Sequence, residues 1–189
     1  MKLEDIKTNV LQCQLCNLYK TKTKYVFGEG SETTPVVFVG EAPGAQEDKT
    51  GRPFIGRAGK IFDDLLKSIE MQREGIYVAN VLKCRPPKNR SPSKMEIEAC
   101  TPYLRKQLNV IKPKLVCPMG NFATEFILKF YGLESELKGI SKLHGKKFKI
   151  KNLFEEIIVI PLYHPAVATY NPDMMKILLE DIKLVKDGN

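Results

Sequence analysis

Four places along the chain offer residues that could do chemistry, and each directly follows a short apolar run. They are Gly40-Glu41-Ala42-Pro43-Gly44, then Asn80, then Pro118-Met119-Gly120-Asn121, then Pro161-Leu162-Tyr163-His164-Pro165. Together they supply a carboxylate, an amide and one of the chain's two histidines, set among glycines that let a backbone approach a ligand closely. A carboxylate and an imidazole suit general acid–base or electrostatic catalysis, and an amide reads a donor–acceptor pattern. A second group of residues is metal-binding in type. Cys13 and Cys16 form a C-x2-C pair, and Cys84 and Cys100 add two thiols. A closed four-thiolate site is the expectation, and such ligation suits zinc or an iron–sulfur cluster equally. Cys117 lies inside an apolar run and reads as a small buried hydrophobe.

The elements that must position these groups follow from periodicity. Continuous β-branched and apolar runs at Val36–Val39, Ile76–Ala79, Leu115–Cys117 and Ile157–Ile160 predict strands buried on both faces, as in a parallel sheet. Between them, helical spacing predicts helices over Arg57–Met71, Lys94–Leu108 with Ser91 or Ser93 as N-cap, Asn121–Tyr131 and Pro172–Val185. A further helix over Leu3–Leu18 would carry the first cysteine pair. Strand–helix alternation implies a three-layer α/β/α sandwich around a mainly parallel four-stranded sheet, as one domain over residues 1–189. In such sheets, sites form beyond the carboxyl ends of the strands, so the four chemistry-bearing segments converge on one rim.

Composition narrows the function classes. The 189 residues include 30 Lys+Arg against 22 Asp+Glu, a formal charge of +8, which points to a polyanionic partner. Hydrophobic residues at 43% and charged residues at 28% are those of an ordinary globule. No run approaches the ~18 apolar residues of a membrane span. The start, MKLEDIKTNVLQCQLC, has acids near its front and no apolar stretch of the secretory kind. Five cysteines in that context argue against a disulfide framework. The basic residues gather in two stretches. From Gly75 to Met95 there is no acid, while Lys83, Arg85, Lys88, Arg90 and Lys94 accumulate among Pro86, Pro87 and Pro92, which raises phosphate binding above a merely solvated loop. Lys142, Lys146, Lys147, Lys149 and Lys151 surround His144 as a second patch.

The motifs resemble those of the family 4 uracil-DNA glycosylases, the thermostable bacterial and archaeal iron–sulfur branch of that superfamily. Gly40-Glu41-Ala42-Pro43-Gly44, continuing through Glu47-Asp48 to Thr50-Gly51-Arg52-Pro53-Phe54-Ile55-Gly56, looks like the family's first motif. Asn80 to Pro87 with Asn89-Arg90 resembles its second block, and His164-Pro165-Ala166 its last. The resemblance runs from Cys13 to about Asp181. It implies a [4Fe–4S] cluster on Cys13, Cys16, Cys84 and Cys100, with a structural role of pinning the N-terminal helix to the basic loop.

The resemblance further implies removal of uracil from DNA, leaving an abasic site without strand cleavage. Phe54 would stack on the flipped uracil. The Asn80 amide would donate to O4 and accept from N3–H, which cytosine cannot match. Glu47 or the backbone beside it would exclude the thymine methyl. His164 would hydrogen-bond O2 as negative charge grows there, helped by a backbone N–H near Ala42. Other glycosylase branches carry Asp at about the Ala42 position, so the carboxylate acting on the attacking water and the cationic sugar is expected to be Glu41. Lys83, Arg85, Lys88, Asn89 and Arg90 would hold DNA, with Asn89 on a phosphate or the water. After His164, many relatives place Leu and Arg where this chain has Val167 and Ala168. Their smaller side chains wedge a duplex less well, Tyr170 could stack instead, and single-stranded uracil DNA is expected to be processed at least as well as a duplex. The implied protein is a cytoplasmic, nucleoid-associated monomer with transient repair or replication partners. The alternatives are a glycosylase for hypoxanthine or xanthine and a non-enzymatic cluster- or zinc-bearing DNA-binding module.

Overall fold

In a computed structural model of the chain, residues 2–151, 156–186 and 188 are described. The strands are β1 (Glu29–Gly30), β2 (Val36–Gly40), β3 (Tyr77–Asn80), β4 (Leu115–Pro118), β5 (Phe148–Lys151) and β6 (Glu156–Val159). They form one sheet in the order β1-β3-β2-β4-β6-β5. β3, β2, β4 and β6 are mutually parallel, while β1 and β5 run antiparallel at the two edges. The expected four-stranded core is therefore present, but the sheet has six strands. The two additions escaped the apolar-run criterion for physical reasons: β1 is a two-residue pair, and β5 alternates half-buried Phe148 and Ile150 with exposed Lys149 and Lys151. Alternation with outward lysines is how an edge strand resists pairing with another chain.

The helices are α1 (Leu3–Leu11), α2 (Ala45–Thr50), α3 (Arg57–Ser68), α4 (Lys94–Ile111), α5 (Asn121–Phe130), α6 (Ile140–Leu143), α7 (Val167–Tyr170) and α8 (Met174–Lys186). Because strand side chains alternate faces, each central strand serves two cores. Val37, Val39, Tyr77, Ala79 and Val116 pack with Ile6 and Val10 of α1, Leu104 and Leu108 of α4 and Ile127 of α5. Val36, Phe38, Val78, Leu115 and Cys117 pack with Phe62 and Leu66 of α3 and Leu178 and Ile182 of α8. This produces the three layers. Ser93 caps α4, accepting from the Glu96 N–H while Glu96 accepts from the Ser93 N–H.

One helix is shorter than expected. α1 stops at Leu11, because its buried stripe of Leu3, Ile6 and Val10 is not continued: Leu11 and Leu15 are exposed. Cys13 and Cys16 consequently sit in the turn after the helix. Among the described residues, no helix is long and apolar enough to cross a membrane.

Candidate active site

Strand order places the topological switch between β2 and β4, where successive connections leave in opposite directions, and the crevice opens at their carboxyl ends. A cavity of about 460 Å³ lies at this rim. Its lining includes Ala42 and Glu47 from the segment after β2, Phe54, Asn80 at the end of β3, Asn89, and His164 and Tyr170 from the segment after β6.

Gly40 is what lets two of these groups meet. A Cβ at this position would sit 2.4 Å from the Asn80 Oδ1 and 2.5 Å from the Phe54 Cζ. Asn80 is 2% exposed, and among the described residues no hydrogen bond takes up its side-chain amide. Its backbone, by contrast, is firmly held: the Asn80 carbonyl accepts from the Lys83 Nζ at 2.9 Å. The Phe54 ring lies 5.5 Å from the His164 ring at 30° and 5.5 Å from the Phe62 ring, so it belongs to the buried core beside Phe62 and also forms one wall of the cavity. Glu47 is fixed as well, its Oε1 accepting from the Ile55 N–H at 2.9 Å and the Gly56 N–H at 2.8 Å.

His164 is specified in both tautomer and charge. The Ala166 N–H donates to its Nδ1 at 3.1 Å, which requires a lone pair there and leaves the ring proton on Nε2. Burial pushes its pKa down to about 4, and the nearby Glu47 carboxylate offsets only part of that effect. At neutral pH the site therefore holds a neutral imidazole with one N–H to donate.

Glu41 does not line the cavity that Phe54 and Asn80 share. It lines an adjoining cleft of about 190 Å³, together with Ala42, Gly44, Pro86, Asn89, Arg90 and His164, and also a separate cavity of about 500 Å³ with Val81, Ile97 and Phe122. The cleft shares Ala42, Gly44, Asn89 and His164 with the cavity of Phe54 and Asn80. Burial raises the Glu41 carboxyl above its ordinary range.

The basic loop divides. Lys83, expected to hold DNA, is 1% exposed and is corrected to an interior residue. Its Nζ donates to Gln107 Oε1 at 2.6 Å as well as to Asn80, while Gln107 in turn donates to the Phe27 carbonyl and the Tyr77 hydroxyl. Lys88 and Asn89 are exposed on a left-handed turn (φ 54° and 55°), with Arg85 donating to the Asn89 Oδ1 at 2.7 Å. Arg90 is committed to a two-pronged pair with Glu96, at 2.8 and 2.6 Å, so part of its charge is neutralised inside the fold. Tyr170 is 88% exposed at the cavity mouth. In the second basic patch, His144 is bound to Asp181 at 2.8 Å and packs on Tyr163. Arg57, Gln46 and Thr169 also line the cavity and were missed; Arg57 directly follows the motif that ends at Gly56.

The four cysteines are brought together. Cys13, Cys16, Cys84 and Cys100 line one pocket with Val10, Leu18, Tyr19, Tyr25, Lys83, Ala99 and Tyr103. The Lys83 N–H donates to the Cys100 Sγ at 3.2 Å, and burial pushes the Cys100 thiol up to about 11. Among the described residues, no group of three or more His, Cys, Asp or Glu side chains is arranged to hold a single metal ion. Cys117 is buried in β4, apart from them.

The comparisons agree with this geometry. The model of the uracil DNA glycosylase superfamily matches residues 27–183. A type-4 uracil-DNA glycosylase of Sulfurisphaera tokodaii is 45% identical over 186 residues, covering 98% of this chain and 84% of the relative. Those of Archaeoglobus fulgidus (43%; 97% and 91% covered) and Thermotoga maritima (39%; 97% and 93%) are similar over comparable lengths. The chain belongs to the uracil-DNA glycosylase superfamily and, within it, groups with the type-4 enzymes.

Proposed function

We propose that this protein is a monofunctional uracil-DNA glycosylase, acting as a single-domain monomer that takes uracil out of the DNA stack and hydrolyses its N-glycosidic bond. The observation that carries the reading is the convergence of an aromatic ring, an amide with no protein hydrogen bond among the described residues and a donor imidazole on one cavity. Phe54 stacks on the base. Asn80 donates to O4 and accepts from N3–H; cytosine reverses both groups, and an unmatched buried pair discriminates by up to ~10⁴–10⁵. Glu47, immobilised by two N–H donors, supplies a rigid wall against a 5-methyl group. As the bond breaks, charge gathers on uracil O2, and the His164 Nε2–H is the donor aimed at it. A neutral donor suits this task, since it needs no proton from solvent. The attacking water belongs in the adjoining cleft, where Glu41 accepts its proton or stabilises the cationic sugar across from His164. Arg85, Lys88, Asn89 and Arg90 hold the strand, and exposed Tyr170 fills the space the base leaves.

The cysteine pocket fits a [4Fe–4S] cluster in its donor chemistry: four thiols, an N–H donated to one sulfur and an otherwise largely apolar lining. When bound, such a cluster supplies four iron–thiolate bonds that cross-link the turn after α1, the loop after β3 and α4. Cys13, Cys16, Cys84 and Cys100 would hold it, and their task is to fix the loop that carries Lys88 and Asn89.

The reading is tested with oligonucleotides containing uracil, cytosine, thymine, hypoxanthine or xanthine at one position. Release of uracil alone supports it; release of the purines at comparable rates would move the function to a broader glycosylase. Asn80→Asp should add cytosine release, because a protonated carboxyl can donate to cytosine N3.

A further inference from the structure

Phe54 enters the base cavity from a backbone conformation that L-residues rarely adopt, with φ 52°. Such a conformation persists only when its surroundings over-determine it. Two neighbours do so. Gly59 of α3 presses on the Phe54 carbonyl so closely that a Cβ there would lie 1.9 Å from its oxygen. The same carbonyl accepts from the Arg73 guanidinium, which stands in the turn before β3 and is 18% exposed. Arg73 engages three groups at once: Nη2 donates to Phe54 O, Nη1 to Pro53 O at 3.0 Å, and Nε to Asp63 Oδ1 at 2.6 Å. Its guanidinium also lies 5.7 Å from the Phe62 ring centre, the ring against which Phe54 packs. Neither Arg73 nor Asp63 lines the base cavity, and among the described residues Phe54 is the cavity-lining residue to which Arg73 hydrogen-bonds.

We propose that Arg73 is a positioning residue for base stacking. Its clamp on the Pro53 and Phe54 carbonyls holds Phe54 in the left-handed conformation that aims the ring across the cavity. The inference rests on the uracil reading of that cavity and goes beyond it by assigning base affinity, rather than bond breaking, to a residue that never touches the base. The planar fork is essential to the argument. Lysine keeps the positive charge beside Asp63 but presents a compact ammonium that cannot span two carbonyls and a carboxylate together.

The test compares wild type, Arg73→Lys, Phe54→Ala and the double variant, measuring inhibition by free uracil and KM and kcat on a uracil-containing oligonucleotide. Arg73→Lys should raise the uracil inhibition constant and KM by about five- to tenfold with kcat within about twofold, the split expected when ground-state affinity is lost. In the Phe54→Ala background the same substitution should add less than about twofold, because the two residues act as one unit. Equal losses in both backgrounds, a fall in kcat at unchanged KM, or no change at all would overturn the clamp. A wild-type protein that releases no uracil would defeat the functional reading but not the clamp, which has its own readout. In ¹³C-phenylalanine-labelled full-length protein, Arg73→Lys should shift and broaden the ring signal that Phe54→Ala removes, and an unmoved signal counts against the clamp.

Discussion

The base cavity and the cysteine pocket meet at the segment Asn80–Cys84, yet they are finished to different degrees. In the base cavity, four lining residues are already held by protein: Glu47 by two backbone N–H groups, His164 by the Ala166 N–H, Phe54 by Arg73, and the Asn80 backbone by Lys83. Among the described residues, no hydrogen bond engages the Asn80 amide or the His164 Nε2–H, the two groups that a base takes up in the proposed reading. In the cysteine pocket the situation is reversed. The thiols of Cys16, Cys84 and Cys100 are all pushed upward, chiefly by burial, so they favour the protonated form. Thiolate ligation there requires a positive centre among them. In the proposed reading, one site is preorganised for a ligand that comes and goes, while the other is completed by the cluster its thiols would hold.

That contrast can be broken most sharply at the base cavity. His164→Ala removes a preorganised donor at the developing O2 charge and should lower the single-turnover excision rate by ~10²–10³ with little change in melting temperature. A loss below tenfold would mean that O2 is stabilised by another group. The cysteine pocket should respond in the opposite sense. Cys84→Ser should discharge iron and visible colour and lower the melting temperature by about 5 °C or more, since 1 kcal/mol moves a domain of this size by ~2–4 °C. Cys117→Ala, in β4, should leave iron content unchanged. Equal iron in Cys84→Ser and wild type would remove Cys84 from the ligand set.

The pH dependence separates the two catalytic candidates. His164 stays neutral down to about 4, so it should not limit activity between pH 5 and 8. Glu41, raised above its ordinary 4.5 by burial, should set the acid limb of kcat/KM, with a midpoint above that value that disappears in Glu41→Gln. A limb that survives Glu41→Gln would assign the titration elsewhere. Stability follows from His164 with the sign fixed by its direction. An unfolded histidine titrates near ~6.5, so between there and about 4 the unfolded chain binds a proton that the folded chain refuses. Its contribution is therefore lost as pH falls through that window, and His164→Gln should flatten the decline. The smallest expected effect concerns the basic loop. Lys88→Ala should reduce the slope of log affinity against log salt by ~1, whereas Lys83→Met, at an interior position, should leave the slope unchanged.

The sequence carried the central strands and the rim they deliver, because a buried parallel strand is a continuous apolar run and its carboxyl end is where ligands bind. Glu41, Asn80 and His164 were placed at that rim on those grounds alone. Less visible was whatever depends on a partner distant in sequence. Lys83 reads as one more cation in a basic loop until Gln107 and the Asn80 carbonyl are seen to receive two hydrogen bonds from its ammonium in the interior. Arg73 reads as a surface residue before a strand, and only folding brings it to Phe54. The edge strands were missed because half-exposed alternation near lysines is a weak local signal. Glu41 was assigned by residue type, and the structure adds that it lines an adjoining cleft, so the role proposed for it concerns the placement of water rather than contact with the base.

The most direct test of the central claim is a single-turnover incubation of the purified protein with an oligonucleotide carrying one uracil, assayed for free base and, separately, for strand cleavage with and without alkali. The expected result is stoichiometric free uracil and a break at that position only after alkali, faster on or equal on single strands compared with a duplex. No release of uracil, or a strand break without alkali, would contradict the account of a hydrolytic, monofunctional site built on Phe54, Asn80 and His164.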